Sequence, residues 1–250
     1  MTLKNKVAIV AGGGRDIGRA ISIRLGQEGA KVFVVYFDDE TTSRDTVETI
    51  NKNGGTAVLH HANLTKAEDI EATVKAAVAA FGDKIDVLVN VTGGLVARKT
   101  LPEIDESFVD FVMGLNFKTC VLMTKAVLPY LSAGSAVVNF SSQAGRDGGG
   151  FGSSIYAASK GAVATFTRAM AKELGPKGIR VNALCPGMIS TSFHDIFSKP
   201  EVRTAVAGST PLRREGVASE VAGVVTYLAS EDSSFLTGVC LDVNGGTLFS

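Results

Sequence analysis

The sequence predicts a doubly wound α/β domain, a parallel sheet of about seven strands with helices on both faces. Three observations carry this reading. Short β-branched runs alternate with longer helical stretches along the whole chain. The strand cores are apolar without alternation, as strands covered on both faces are. The first strand also runs straight into a glycine-rich turn that opens a helix.

Taken in order, residues 7–10 read as the first strand, ended by the glycines at 12–14, and 17–28 as the first helix. Strand 32–36 comes next, and helix 41–53 runs up to Gly54 and Gly55. Strand 57–59 and helix 66–81 follow, the helix closed by Gly82, and strand 85–89 ends at Asn90. A long helix is expected over 105–131, a strand over 136–140 and a helix over 155–174. Strand 180–184, helix 219–229 and strand 239–243 complete the alternation. No linker divides the chain, so residues 1–250 are expected to form one domain. The stretch 187–217 departs from the pattern. It is polar, contains Pro200 and Pro211, and is long for a connection, which predicts a lid or mobile loop beside a substrate.

Composition narrows the function. An apolar fraction of 45% is ample for a core, and 25 basic residues balance 25 acidic ones, so no net charge drives binding to nucleic acid or an anionic membrane. Cys120, Cys185 and Cys240 are far apart in sequence, as expected for reduced thiols in a cytoplasmic protein. The apolar run at 7–10 is too short for a signal peptide or a membrane span.

At one end of the expected sheet the first strand leads into Gly12, Gly13, Gly14, Arg15, Asp16, Ile17 and Gly18. Glycines there let the chain turn sharply and let a diphosphate approach the free N–H groups of the helix. The second strand ends in Tyr36, where an acidic residue would bind the ribose 2′-hydroxyl of NAD. Arg15 is placed to meet a 2′-phosphate, whereas Asp38 and Asp39 would repel one, and the balance favours NADP(H) over NAD(H).

Tyr156 and Lys160 stand four apart on an expected helix and share a face. A free phenol titrates near 10 and is a poor acid–base catalyst at neutrality, and a neighbouring cation favours the phenolate. Ser142 ends the strand just upstream, where ligands meet open parallel sheets, and its hydroxyl suits a substrate carbonyl. Asn116, beside Gly114, weakens its helix locally, and a break there would free a carbonyl for a proton-relay water.

Together these motifs resemble the short-chain dehydrogenase/reductase family over essentially the whole chain. The family's T-G-x-x-x-G-x-G is matched by Ala11, Gly12, Asp16, Ile17 and Gly18, its N-N-A-G by Asn90 to Gly93, and its Y-x-x-x-K by Tyr156 and Lys160. Its P-G-x-x-x-T falls on Pro186, Gly187 and Thr191. The resemblance implies a Rossmann fold and an oxidoreductase moving a hydride between a nicotinamide cofactor and a small-molecule carbonyl or alcohol. It implies Tyr156 as acid–base, Lys160 lowering its pKa and holding the nicotinamide ribose, Ser142 orienting the substrate oxygen and Asn116 anchoring the relay water. Gly14, Arg15 and Tyr36 would join the cofactor site, Ile189 and Thr191 would meet the carboxamide, and Asn63, Leu64, Asn90 and Gly93 would line the adenosine side. The family usually forms dimers or tetramers through the helices corresponding to 105–131 and 155–174, and a homotetramer is expected.

The departures from the family pattern concern the cofactor. Ala11 lacks the hydroxyl that steadies the glycine loop, Asp16 puts a carboxylate near the diphosphate, and Asn63 replaces an aspartate that accepts from the adenine amine. Substrate walls are expected from 94–99, 143–154 and 190–211, with Phe151, Phe193, Ile196 and Phe197 offering apolar surface and His194 exposed. A 3-oxoacyl-carrier-protein substrate ranks below a free ketone, because 129–135 lacks the basic run that docks an acidic partner. A non-catalytic NADP-binding scaffold is the reading from another class, supported by Asp16 and opposed by Ser142, Tyr156 and Lys160.

Overall fold

The computed structural model describes residues 2–249. In chain order the elements are β1 (Val7–Ala11), α1 (Asp16–Gln27), β2 (Lys31–Tyr36), α2 (Glu40–Lys52), β3 (Thr56–His61), α3 (Ala67–Phe81), β4 (Val87–Asn90), α4 (Glu106–Met113), α5 (Thr119–Val127) and β5 (Ala136–Phe140). They continue with α6 (Ala144–Asp147), α7 (Ser154–Leu174), β6 (Arg180–Pro186), β7 (Ile189–Ser190), α8 (Ser192–Phe197), α9 (Pro200–Ser209), β8 (Gly216–Val217), α10 (Ala218–Ala229) and β9 (Cys240–Val243). Every expected strand and helix is present, with ends within a few residues of those read from sequence.

The main sheet has seven parallel strands in the order β3-β2-β1-β4-β5-β6-β9. Its faces explain the unalternating strands. In β1, Ala8 and Val10 join a core formed with Ile21 and Leu25 of α1, Ile50 of α2 and Val221, Val225 and Leu228 of α10. Val7, Ile9 and Ala11 point the other way, to Ile70 and Val74 of α3, Met123 of α5 and Leu174 of α7. Both faces exclude water, so every β1 position is apolar. The chain reverses direction across the sheet between β1 and β4, and the crevice at their carboxyl ends is where such sheets bind ligands.

Two expectations are corrected. The helix read as continuous over 105–131 is interrupted by a π-helical stretch, Gly114–Lys118, between α4 and α5. Gly114 and Asn116, weak helix formers, lie within it, and such bulges concentrate at functional sites. The run Glu106–Tyr130 is apolar and long enough to cross a membrane by length and composition, yet Val112, Met123 and Val127 are buried in the protein. The stretch 187–217, expected to be a loop, contains two strands and two helices. Its ends are stitched together where Ile189 pairs with Gly216 in a separate two-stranded sheet. Cys120 and Cys185 are buried and unpaired thiols, while Cys240 is only partly buried.

Candidate active site

The glycine loop is shaped by its neighbours. A Cβ at Gly18 would lie 1.9 Å from the Gly12 carbonyl oxygen, and one at Gly14 would lie 1.9 Å from Ser43 Oγ. The loop therefore has to be bare of side chains at these points. The missing threonine hydroxyl at Ala11 is offset from elsewhere: Ser22 Oγ donates to the Gly13 carbonyl at 2.9 Å, and Thr46 Oγ1 to the Gly14 carbonyl at 2.7 Å. Arg15, at the N-cap of α1, makes no side-chain capping bond, so the first-turn N–H groups are left to a ligand. A bare loop and an uncapped helix end fit a dinucleotide's diphosphate.

Asp16 sits at φ +50°, left-handed backbone that glycine adopts freely and aspartate tolerates. Its carboxylate turns across the crevice to the start of α8. Oδ1 accepts from the Ser192 backbone N–H at 3.0 Å and Oδ2 from the Ser192 hydroxyl at 2.5 Å. Arg15 stands 3.5 Å from Asp16, 3.4 Å from Asp38 and 3.0 Å from Ser192 Oγ. Asp39 is occupied differently, capping α2 by accepting from Thr42 N–H.

Several expected cofactor residues are turned inward. The Asn90 amide donates to Asn139 Oδ1 at 2.9 Å and Thr124 Oγ1 at 3.2 Å, tying β4 to β5 and α5. Leu64 has its side chain in the core. Asn63, expected on the adenosine side, has its Oδ1 accepting both the N–H and the O–H of Thr65 in a local turn. Tyr36 closes β2 with its ring 5.2 Å from that of His61. A Cβ at Gly93 would come 2.5 Å from Asn116 Oδ1, and one at Gly187 would meet Asn244 Cβ at 2.7 Å, so both glycines permit close packing. Pro186 ends β6, Ile189 is buried in β7, and Thr191 gives its hydroxyl to the Ile189 carbonyl at 3.1 Å.

Across the crevice the four catalytic candidates come together. Ser142 follows β5, its hydroxyl accepts from the Ala144 N–H at 3.1 Å, and it is the side chain that counters the effect of burial on the Tyr156 phenol. Lys160, one turn along α7, is buried, and its Nζ donates to the Phe140 carbonyl at 2.8 Å. A Cβ at Gly93 would stand 3.0 Å from that Nζ, so Lys160 also adjoins the loop after β4. Asn116 grips the same loop, accepting from Gly94 N–H and donating to Gly94 O, both at 2.9 Å, and donating to Val112 O at 3.0 Å.

The electrostatics correct one expectation. Lys160 was expected to draw the Tyr156 pKa down. Burial instead pushes the phenol above its usual 10, with the Ser142 side chain opposing it in part. Lys160 itself is drawn down to about 8 by burial, against which the Cys120 and Cys185 thiols act.

The substrate side holds residues whose role the sequence did not disclose. Arg98 joins all three expected walls: its Nη1 donates to the Phe151 carbonyl at 2.8 Å and its Nε to the Phe197 carbonyl at 3.2 Å. Arg203 ties Glu215, Asp195 and Ser190 within the 187–217 segment. Isolated arginines in irregular segments carry no sequence signal of such reach. Phe193 lies with its ring 6.1 Å from that of Tyr156 and 5.1 Å from that of Phe197. His194, expected in solvent, is half-buried against Phe193 and bonds Ser198 Oγ at 3.0 Å, and burial lowers its pKa.

The chain is similar to known proteins over nearly its whole length. A family model described as enoyl-(acyl carrier protein) reductase matches residues 12–247. The uncharacterized oxidoreductase YhdF of Bacillus subtilis is 36% identical over 99% of this chain and 85% of its own length. A crystal structure of a dehydrogenase/reductase from Sinorhizobium meliloti superposes with a TM-score of 0.93 at 33% identity, covering 98% of this chain and 96% of the other. The NADH-dependent reductase A1-R′, described as responsible for alginate metabolism, gives a TM-score of 0.91 at 34% identity over 99% of both chains.

Proposed function

Because the chain belongs to the short-chain dehydrogenase/reductase family and is an NAD(P)-dependent oxidoreductase, we propose that it transfers a hydride between NADP(H) and a small-molecule ketone or secondary alcohol, with Tyr156 as the acid–base. The observation that carries this reading is the meeting of Tyr156 with Ser142 beside β5, one helical turn from the buried Lys160, whose Nζ lies 5.8 Å from the centre of the Tyr156 ring. When bound, the nicotinamide supplies or takes up the hydride. Tyr156 gives its proton to the carbonyl oxygen in reduction and removes it from the alcohol in oxidation. Ser142 holds that oxygen by a hydrogen bond aimed at the charge that develops on it. Lys160 keeps a cation under the phenol and reaches towards the nicotinamide ribose. Asn116 fixes the loop after β4 and anchors a relay water.

Ile189 and Thr191 meet the carboxamide, while Gly93 and the backbones of Asn63, Leu64 and Asn90 line the adenosine side. The preference for NADP(H) rests on Arg15 with Tyr36 at the end of β2. The Arg15–Asp38 pair is exposed and 3.4 Å long, and such pairs hold by at most about 1 kcal/mol. A 2′-phosphate therefore displaces Asp38 at little cost. An uncharged 2′-hydroxyl gains less from Arg15 than a phosphate does. We infer that the enzyme works in the cytoplasm as a homotetramer assembled through α4, α5 and α7.

The test is a panel of aliphatic and aromatic ketones and alcohols, assayed with NADPH and NADH. NADPH-dependent turnover is expected, falling by roughly a thousandfold in Tyr156→Phe. Equal rates for the two proteins would remove Tyr156 from the chemistry, and tighter binding of NADH would reverse the cofactor assignment.

A further inference from the structure

We propose that Asp16 is a positioning residue for the reaction: reaching out of the glycine loop, it clasps Ser192 and so fixes Phe193 as a roof over Tyr156. The proposal rests on the hydride-transfer reading above and deepens it, by naming the contact that ties the cofactor side of the crevice to the substrate side.

The backbone at residue 16 asks only for positive φ, which glycine meets without a side chain. The carboxylate is thus an addition to the loop and not a requirement of it. Both of its oxygens are engaged by one residue, at 3.0 Å from the Ser192 N–H and 2.5 Å from the Ser192 hydroxyl. Charge-assisted bonds of this kind are stronger than neutral ones. Arg15 completes the set from the same loop, donating to Ser192 Oγ at 3.0 Å.

Helix α8 has no cap of its own at this end. Thr191, in the N-cap position, gives its hydroxyl to Ile189 instead. Asp16 therefore caps α8 from the far side of the crevice, satisfying a first-turn N–H that would otherwise lack a partner. At the other end of α8, Arg98 holds the Phe197 carbonyl. The six-residue helix is pinned at both ends, and Phe193, next to the clasped Ser192, faces Tyr156. With glycine at residue 16 the Ser192 N–H loses its acceptor, and α8 keeps the side-chain contacts from Arg15, Arg98 and Arg203.

The experiment compares the unaltered protein with Asp16→Gly, Asp16→Asn and Ser192→Ala by amide hydrogen exchange, without added cofactor and with NADPH. Glycine suits the φ of residue 16, so Asp16→Gly keeps the fold. Its amides at 192–197 are expected to exchange about tenfold faster. Asp16→Asn keeps an oxygen for the Ser192 N–H, and Ser192→Ala keeps that N–H, so each restores part of the protection. With the panel ketone that the unaltered protein reduces fastest, KM is expected to rise about tenfold in Asp16→Gly, with kcat changed less than about threefold. Unchanged exchange at 192–197 in Asp16→Gly, with NADPH binding intact, would overturn the clasp alone. Failure of the unaltered protein to bind NADPH or NADH would overturn the hydride-transfer reading, and the exchange result would still decide the clasp.

Discussion

Lys160 Nζ donates to the Phe140 carbonyl at 2.8 Å and stands 5.8 Å from the centre of the Tyr156 ring. The two residues share a helix face, but the ammonium is anchored to the end of β5 and not to the phenol. The cation acts on Tyr156 through the field beneath its ring. It is also an ammonium at 4% exposure, and burial disfavours its charge.

That burial makes stability depend on pH with a definite sign. The folded-state pKa of Lys160 is about 8, below its ordinary 10.5. Between those values the unfolded chain binds more protons than the folded one, so stability rises with pH. Below pH 8 both states hold the proton and the full burden of the buried charge remains. Tyr156, shifted above 10, acts in the opposite sense at higher pH. From pH 8 to 10 the unaltered protein is therefore expected to gain about 2–3 kcal/mol relative to Lys160→Met. Urea unfolding of both proteins across that range checks it, and parallel curves would contradict the buried-ammonium account.

Asn116 makes a different kind of prediction, because one side chain satisfies three backbone groups. Asn116→Ala strands the Gly94 N–H, the Gly94 carbonyl and the Val112 carbonyl, and a loss of about 3 kcal/mol is expected. Asn116→Asp keeps an acceptor for the Gly94 N–H but turns an oxygen on the two carbonyls. It is expected to be no better than alanine. Urea midpoints at constant slope measure both, and a rescue by aspartate would show that the carbonyls are satisfied otherwise.

Residues acting through local pattern were legible in the sequence. The unalternating β1 run announced a strand buried on both faces, and Ala8 with Val10 and Val7 with Ile9 fill opposite cores. Gly114 and Asn116 announced a weak turn, which the fold realises as a π-helical stretch. Contacts set by tertiary approach were not legible. Nothing in the string around residue 16 points to Ser192, 176 positions away, and nothing around Arg98 points to Phe151 and Phe197. Asn63 has a local partner that its string did not announce: its amide oxygen accepts from Thr65 two residues on, and such turns form without help from the rest of the fold.

The proposed preference for NADP(H) makes Arg15 the residue to test. Its guanidinium is divided among Asp16, Asp38 and Ser192, at 3.5, 3.4 and 3.0 Å. None of these contacts is both short and ionic, so a 2′-phosphate competes for Arg15 on favourable terms. Arg15→Ala is expected to weaken NADPH binding about tenfold while leaving NADH within about twofold, since only the phosphate distinguishes the two. Asp38→Asn should move the other way. It frees Arg15 and removes a repelling carboxylate, so NADPH tightens by roughly threefold. Fluorescence titration of the three proteins with both cofactors reads these changes directly. If Arg15→Ala weakened the two cofactors equally, Arg15 would be holding the glycine loop through Asp16 and Ser192, and selectivity would have to come from Tyr36 and the end of β2.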